Sequence, residues 1–257
     1  MPSPTINLAD AKGIWRPVYA RRQALHATAD AIVLAAWRAD LHGIDLAPAV
    51  TAWRQAVGET ADPATQRRRQ AAAATVLGTL SARSWARTRA ALALAAKRAH
   101  RAGWAAGHAI VTQDNADDSD YDELDDNPYR IGSPDMTDHT ADATASAVLA
   151  AALRASANRA GRAMADSEDD PDDDAEDTLD DGMDLALAAD VGVSAAYGAG
   201  MLAAYLDAGV GGVMWLTAGD ERVCDRCMAN ETAGPYGLLG APTLPVHARC
   251  RCCLAPA

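Results

Sequence analysis

The sequence predicts a mainly α protein, with elongated Ala-rich helices, acidic flexible linkers and a small C-terminal zinc-knuckle-like segment with short strands. Three observations predict it. The chain is 49% hydrophobic but only 5% aromatic, with no Phe, and much of its apolar content is alanine. Such helices bury little area per residue, so extended packing or assembly with partners is favoured over a thick core. Two runs of carboxylates break the helical periodicity, and all five cysteines of the 257 residues lie at or after Cys224.

Charge is segregated along the chain. Residues 1–112 carry 15 Lys+Arg against 6 Asp+Glu, residues 113–182 carry 4 against 22, and residues 183–257 carry 4 against 7. The net charge of −12 therefore leaves room for a basic N-terminal surface, or for basic helices neutralised by acidic loops. The expected organisation is a basic helical region over 1–112, an acidic loop over 113–136 and a helix over 137–166. An acidic linker over 167–182 follows, then a helix with a Cys/His knuckle over 183–257. No run of about 18 apolar residues is read, so no membrane-spanning helix is expected. The N-terminus lacks a signal-peptide layout. Cytosolic thiols stay reduced, and an odd cysteine count fits paired bridges poorly.

Each element has its own signal. Pro17 suits a first helical turn, and Val33, Trp37 and Leu41 recur at helical spacing before "HGI". A short helix starts near Pro48, with Val50, Trp53 and Val57 on one face and Gly58 at its end. Asp62-Pro63 then opens a long helix to about Val111, on which Arg83, Arg87, Arg98 and Arg101 fall near one face. That stripe reads as a solvated face, or as a contact surface for acidic protein or DNA. "TQDNADDSDYDELDDNPYRIGSPD" has no usable periodicity and reads as a loop. Val148, Leu149 and Leu153 mark the helix after it, and "DSEDDPDDDAEDTLDDG" reads as a second self-repelling linker without EF-hand spacing. The last long helix, about Met183 to Ala208, carries a Tyr197, Met201, Tyr205 core stripe. Gly198 and Gly200 within it make sense only where another backbone approaches. "VMWLTA" is a short β-type run into the cysteine tail.

The tail reads Cys224-x2-Cys227, then His247-x2-Cys250-x-Cys252 with Cys253 adjacent. Two short clips separated by a Gly/Pro-rich loop is the usual arrangement for a structural zinc ion, which would supply the folding energy that so small a segment lacks. Cys224, Cys227 and Cys250 are the firmest ligands and His247 or Cys252 is the fourth. Cys253 points away if the segment is extended. Disulfides and a Cys-x2-Cys redox couple are the competing readings. Asp220 and Glu221 are expected to cap the turn or to hydrogen-bond the ligand loop. Neither H-x-E nor H-E-x-x-H is present, nor a G-x-S-x-G, P-loop or G-x-G-x-x-G motif, so no enzyme is expected.

"AAYGAGMLAAYLDAGV", then "VMWLTAGDERVCDRCMANETAGP" and the closing "PVHARCRCCL" resemble the phage Mu F-like minor head protein family, in the variant carried by actinobacteriophages. Trp215, Asp220 (or Glu221), Cys224, Cys227, His247, Cys250, Arg251 and Cys252 fill the family pattern, with Ala248 where Pro is usual and Cys253 extra. The match covers roughly Ser194 to Leu254. The resemblance implies a minor, portal-associated protein inside the capsid, assembled in the host cytoplasm and acting in head morphogenesis or DNA exit. Its implied partners are the portal protein, then major capsid or scaffold protein, with nonspecific contact to packaged DNA through the basic helices and none with membrane. A zinc-knuckle nucleic-acid-binding protein is the alternative, weakened because the four arginines of the tail face as many nearby acids. A zinc hydrolase comes third.

Overall fold

Alanine and glycine let helix backbones come close, and the fold is built on that freedom. In the computed structural model, residues 8–57, 66–112, 136–167 and 170–257 are described. The order is α1 (Leu8–Leu41), α2 (Ala47–Val57), α3 (Gln66–Ser81), α4 (Ala86–Thr112), α5 (Asp138–Asp166), α6 (Pro171–Asp180) and α7 (Met183–Asp207). Strand β1 (Gly212–Leu216), helix α8 (Asp225–Ala233), and strands β2 (Tyr236–Gly237) and β3 (Cys253–Pro256) complete it. The mainly helical class and the small C-terminal sheet are as expected from sequence.

The contacts do not follow the linear division into segments. They define two units, each built from separated stretches: Met1–Ala29, Leu94–Ala141 and Asp190–Ala257 in one, Asp30–Ala93 and Asp142–Ala189 in the other. In the second unit Trp37, Trp53, Leu46, Leu80 and Leu179 are buried. Trp37 stacks on Trp85 with centroids 4.6 Å apart and donates from Nε1 to the Leu179 carbonyl at 3.0 Å. Arg159 holds the turn into α7 by paired bonds to Asp181 and one to Asp184.

Four expectations are corrected in detail. Pro17 lies inside α1 rather than in a first turn. The single long helix from Asp62-Pro63 is two helices, α3 and α4, and Asp62 and Pro63 lie outside the described residues. The break at 82–85 has a tertiary cause: the Asp40 carboxylate accepts from both the backbone N–H and the hydroxyl of Thr88 at 2.8 Å, capping α4 from another helix. Arg83 donates to the Asp40 and His42 carbonyls and Arg87 to that of Ala39, satisfying the open end of α1. The arginine stripe is thereby split. A cavity of about 470 Å³ at this junction, lined by Ala39, Asp40, Arg83, Ser84, Ala86 and Arg87, has its charged groups committed to helix ends.

Third, part of the 167–182 run is helix. Pro171 stands at the start of α6, Asp172, Asp173 and Asp174 occupy the first turn, and Pro171, Ala175 and Leu179 are buried on one face. Carboxylates at a helix N-terminus complement its dipole, so the charge that suggested a linker supports the first turn. The 113–136 loop lies almost wholly outside the described residues. Fourth, an 18-residue window within Pro171–Asp207 is apolar enough, by length and composition, to cross a membrane, against the sequence reading. Of that window 56% is buried in the structure, as in a core helix.

In the first unit α7 meets α4 backbone to backbone. A methyl built on Gly200 would overlap the His100 carbonyl, one on Gly103 the Tyr197 carbonyl, and one on Gly107 would sit 3.0 Å from the Met201 carbonyl. Tyr197, Met201 and Tyr205 are fully buried, as the stripe predicted. Gly200→Ala should therefore lower thermal stability by about 1–3 kcal/mol, overriding the roughly 1 kcal/mol of helix propensity gained. Gly78→Ala on α3, where nothing lies within 4 Å, should instead stabilise by up to about 1 kcal/mol. Thermal unfolding of the two variants side by side checks both signs.

Candidate metal centre

Strand pairing brings the two cysteine clips together. β1 is the middle of a three-stranded antiparallel sheet of order β2-β1-β3. Its register with β3 sets Trp215 against Leu254 and Leu216 against Cys253. The loop leaving β1 therefore starts beside the residues that precede β3. Asp220 on that loop and Arg251 between the second pair of cysteines form a two-bond ion pair at 2.5 and 2.6 Å, and Asp220 also accepts from the Arg222 backbone N–H. Two nearby guanidinium donors, Arg251 foremost, hold the Asp220 carboxyl well below the usual carboxylate range.

The first clip sits on a helix start. Cys224 is the N-cap of α8, and its sulfur accepts from the Cys227 N–H at 3.4 Å. That backbone bond is the main reason its thiol titrates below the ordinary range. Glu231 on α8 accepts from the Thr217 N–H and hydroxyl at 3.0 and 2.9 Å, fixing the helix to the end of β1. Tyr236 donates to the Asn230 carbonyl at 2.7 Å. Helix α8 is polar and buries only Cys227, so its sequence carries little helical signal.

The second clip is a tight reversal. Cys250 N–H donates to the His247 carbonyl at 3.2 Å, and Arg249 between them has φ 59°. A left-handed third position is what a type II turn requires, and it usually falls to Gly. Proline is favoured at the second position, which Ala248 fills here. The strained Arg249 backbone is held by its N–H to Asp190 at 2.6 Å. Asp190 also faces the buried His26 at 3.4 Å, and His26 Nε2 lies 3.2 Å from the Ser194 hydroxyl. Burial outweighs the Asp190 charge and lowers the His26 pKa.

Three consecutive carbonyls of this clip are gripped by α1. Arg22 donates to Cys252 O at 2.7 Å and to Cys250 O at 2.5 Å, and Trp15 Nε1 donates to Arg251 O at 2.8 Å. Nothing in the tail motif announces these partners. The available signal was the Trp15, Tyr19, Arg22, His26 spacing, which puts four large residues on one face of an otherwise Ala-rich helix.

The donors converge. Cys224, Cys227 and His247 offer ligand atoms within 4.8 Å of one another, and so do Cys227, Cys250 and Cys252, so Cys227 belongs to both groups. His247 Nε2 is 3.3 Å from the Cys224 sulfur and 3.5 Å from that of Cys227, and the Cys227 and Cys250 sulfurs are 4.0 Å apart. Around tetrahedral zinc, with Zn–S about 2.3 Å and Zn–N about 2.0 Å, sulfur–nitrogen pairs are about 3.5 Å apart and sulfur pairs about 3.8 Å. The separations of 3.3, 3.5 and 4.0 Å lie within about 0.3 Å of that geometry. His247 Nδ1 faces the Ala248 carbonyl at 2.7 Å. A carbonyl only accepts, so Nδ1 carries the proton and Nε2 presents its lone pair to the thiols.

All five cysteines are free thiols. A hydrogen bond from Cys252 holds Cys250 down to about 5, and the same bond together with burial drives Cys252 far up. Burial pushes Cys227 and Cys253 up to about 12. Cys253 stands outside both donor groups, as the alternation of an extended strand predicts. Every ligand candidate read from sequence thus lies in at least one of two donor groups, joined through Cys227, that could hold a metal ion. Comparison with protein-family models, with curated proteins and with solved structures finds no match for this chain.

Because Cys227 is common to both groups, Cys227→Ser should abolish metal retention. Asp220→Asn, which removes one acceptor of the clip-to-clip ion pair, should weaken it by roughly tenfold. Elemental mass spectrometry of protein purified under reducing conditions reads both, with thiol titration before and after chelation as the parallel measurement.

Proposed function

We propose that this chain is a minor structural protein of a tailed-phage head, associated with the portal vertex inside the capsid and acting in head morphogenesis or DNA exit. Its knuckle holds one structural Zn2+. The observation that carries the reading is the Asp220–Arg251 pair. In the Mu F-like pattern that the tail resembles, an acid precedes the first cysteine clip and an arginine separates the last two cysteines. Here those two positions bond to each other across the clips, which gives the pattern a physical reason.

Cys224, Cys227, His247 and Cys250 are the preferred ligands, because His247 Nε2 is in range of the first two and its tautomer is set for donation. Cys252 then serves as a buried neighbour hydrogen-bonded to Cys250. A full set of protein donors around the ion fits a structural role rather than hydrolysis. The nucleic-acid reading is further weakened, since Arg222 and Arg251 are both committed to Asp220. On the N-terminal side Arg83 and Arg87 are spent on helix-end carbonyls, so less of the basic excess is available to DNA than the sequence suggested.

The chain co-expressed with its phage's portal protein should co-sediment with the portal oligomer, and mass spectrometry should find it at low copy number in purified heads. A chain that stays apart from portal oligomers and is absent from heads would overturn the assignment.

A further inference from the structure

A buried cation needs a compensating anion, and the residue that poses this question is Arg22. It is 2% exposed and, among the described residues, no carboxylate forms an ion pair with it. Its two terminal nitrogens bond neutral carbonyls, those of Cys250 and Cys252. Its Nε has no hydrogen-bond partner, and its guanidinium lies 5.4 Å from the centre of the Tyr19 ring. Carbonyl dipoles and an aromatic face offset part of the cost of removing this charge from water, but they carry no net charge. An arginine cannot escape by deprotonation.

We propose that Arg22 is the counter-cation and positioning residue of a thiolate-bound metal centre, and that through it the Trp15–His26 stretch of α1 is coupled to metal occupancy. The inference rests on the metal reading above. Coordinated cysteines bind as thiolates. A divalent ion with three thiolates and a neutral imidazole therefore carries a net charge of −1, and with four thiolates −2. The hydrogen-bond partners of Arg22 are themselves only neutral carbonyl dipoles. With the ion bound, Arg22 faces a net anion through the backbone of Cys250, a ligand, and of Cys252 beside it. Trp15, bonded to the carbonyl between them, completes the grip. The imidazole set leaves one negative charge against one guanidinium, so the buried pair is neutral.

The experiment uses the full-length chain. Zinc affinity is measured by competition with a chromophoric chelator, and Co2+ is substituted as a spectroscopic stand-in whose ligand-field bands report thiolate number and geometry. Arg22→Met should weaken zinc binding roughly tenfold to a hundredfold, the usual range for an outer-shell partner, and should shift the Co2+ bands. Arg22→Lys, which keeps the charge but loses the fork, should recover part of the affinity. Arg54→Met, an exposed arginine on α2, should change neither. Should Arg22→Met fail to fold, hydrogen exchange on the wild-type chain decides. Chelation should speed exchange across residues 15–26 if α1 is coupled to the ion, and unchanged protection there would overturn the proposal. So would wild-type metal binding that Arg22→Met and Arg22→Lys both keep within about twofold, against the outer-shell range. A wild-type chain that takes up no metal would overturn this proposal and the metal reading together.

Discussion

The first unit depends on the backbone contact between α4 and α7. Gly103 and Gly107 on one helix and Gly200 on the other leave no room for a side chain at the crossing. With larger residues the helices would separate by the width of a methyl or more, and everything α7 holds would move with it. Much hangs on α7. The Tyr205 hydroxyl donates to the Leu254 carbonyl at 3.0 Å, which fixes β3. Asp190 accepts from the Arg249 N–H, which fixes the strained turn of the second clip. An Ala-rich chain gains little from each buried residue, so it compensates by bringing backbones together and placing its few large polar side chains on the sheet.

Those polar side chains explain how the donors converge. The register of β1 with β3 sets the clips side by side, the Asp220–Arg251 pair locks them, and Arg22 and Trp15 take the carbonyls of the second clip in order. Much of the geometry around the cysteines is thus supported by hydrogen bonds that do not involve sulfur. A free zinc-finger peptide gets nearly all of its folding energy from the metal. In this chain a packed sheet and a long helix share that task, so an ion adds to an existing framework.

What was legible in the sequence follows from where each signal is local. Ligand spacing is local, and every candidate from Cys224 to Cys252 lies in one or both of the donor groups. The Tyr197, Met201, Tyr205 stripe is local, and it is core. Gly198 and Gly200 announce the approach of another backbone; Gly200 has one, against the His100 carbonyl, whereas Gly198 meets the Leu244 side chain. The misses have non-local causes. No residue between Ala82 and Trp85 breaks a helix by its own propensity; the break is made by Asp40 capping Thr88 from another helix. The α6 run was read by its charge, although Pro171, Ala175 and Leu179 carried a helical period beneath it. That each unit is built from separated stretches of chain has no sequence signal, because Ala-rich helices look alike wherever they pack.

The same reasoning bears on why so polar a face as Trp15 to His26 stands on α1. Arg22 and His26 are both buried, at 2% and 6% exposure, in a chain that could have filled those places with alanine at lower desolvation cost. Burying them is unfavourable unless each is matched. His26 has Asp190 and Ser194, and it also stands one contact away from Arg249 through that shared carboxylate. Arg22 has the carbonyls of Cys250 and Cys252. Both polar groups therefore end on the same four-residue segment, Arg249 to Cys252, one bracing the left-handed turn and the other the backbone beyond it. Two independent desolvation costs directed at one short segment imply that its geometry is what these residues are there to hold. That is the behaviour of a support for ligand side chains rather than of a general core.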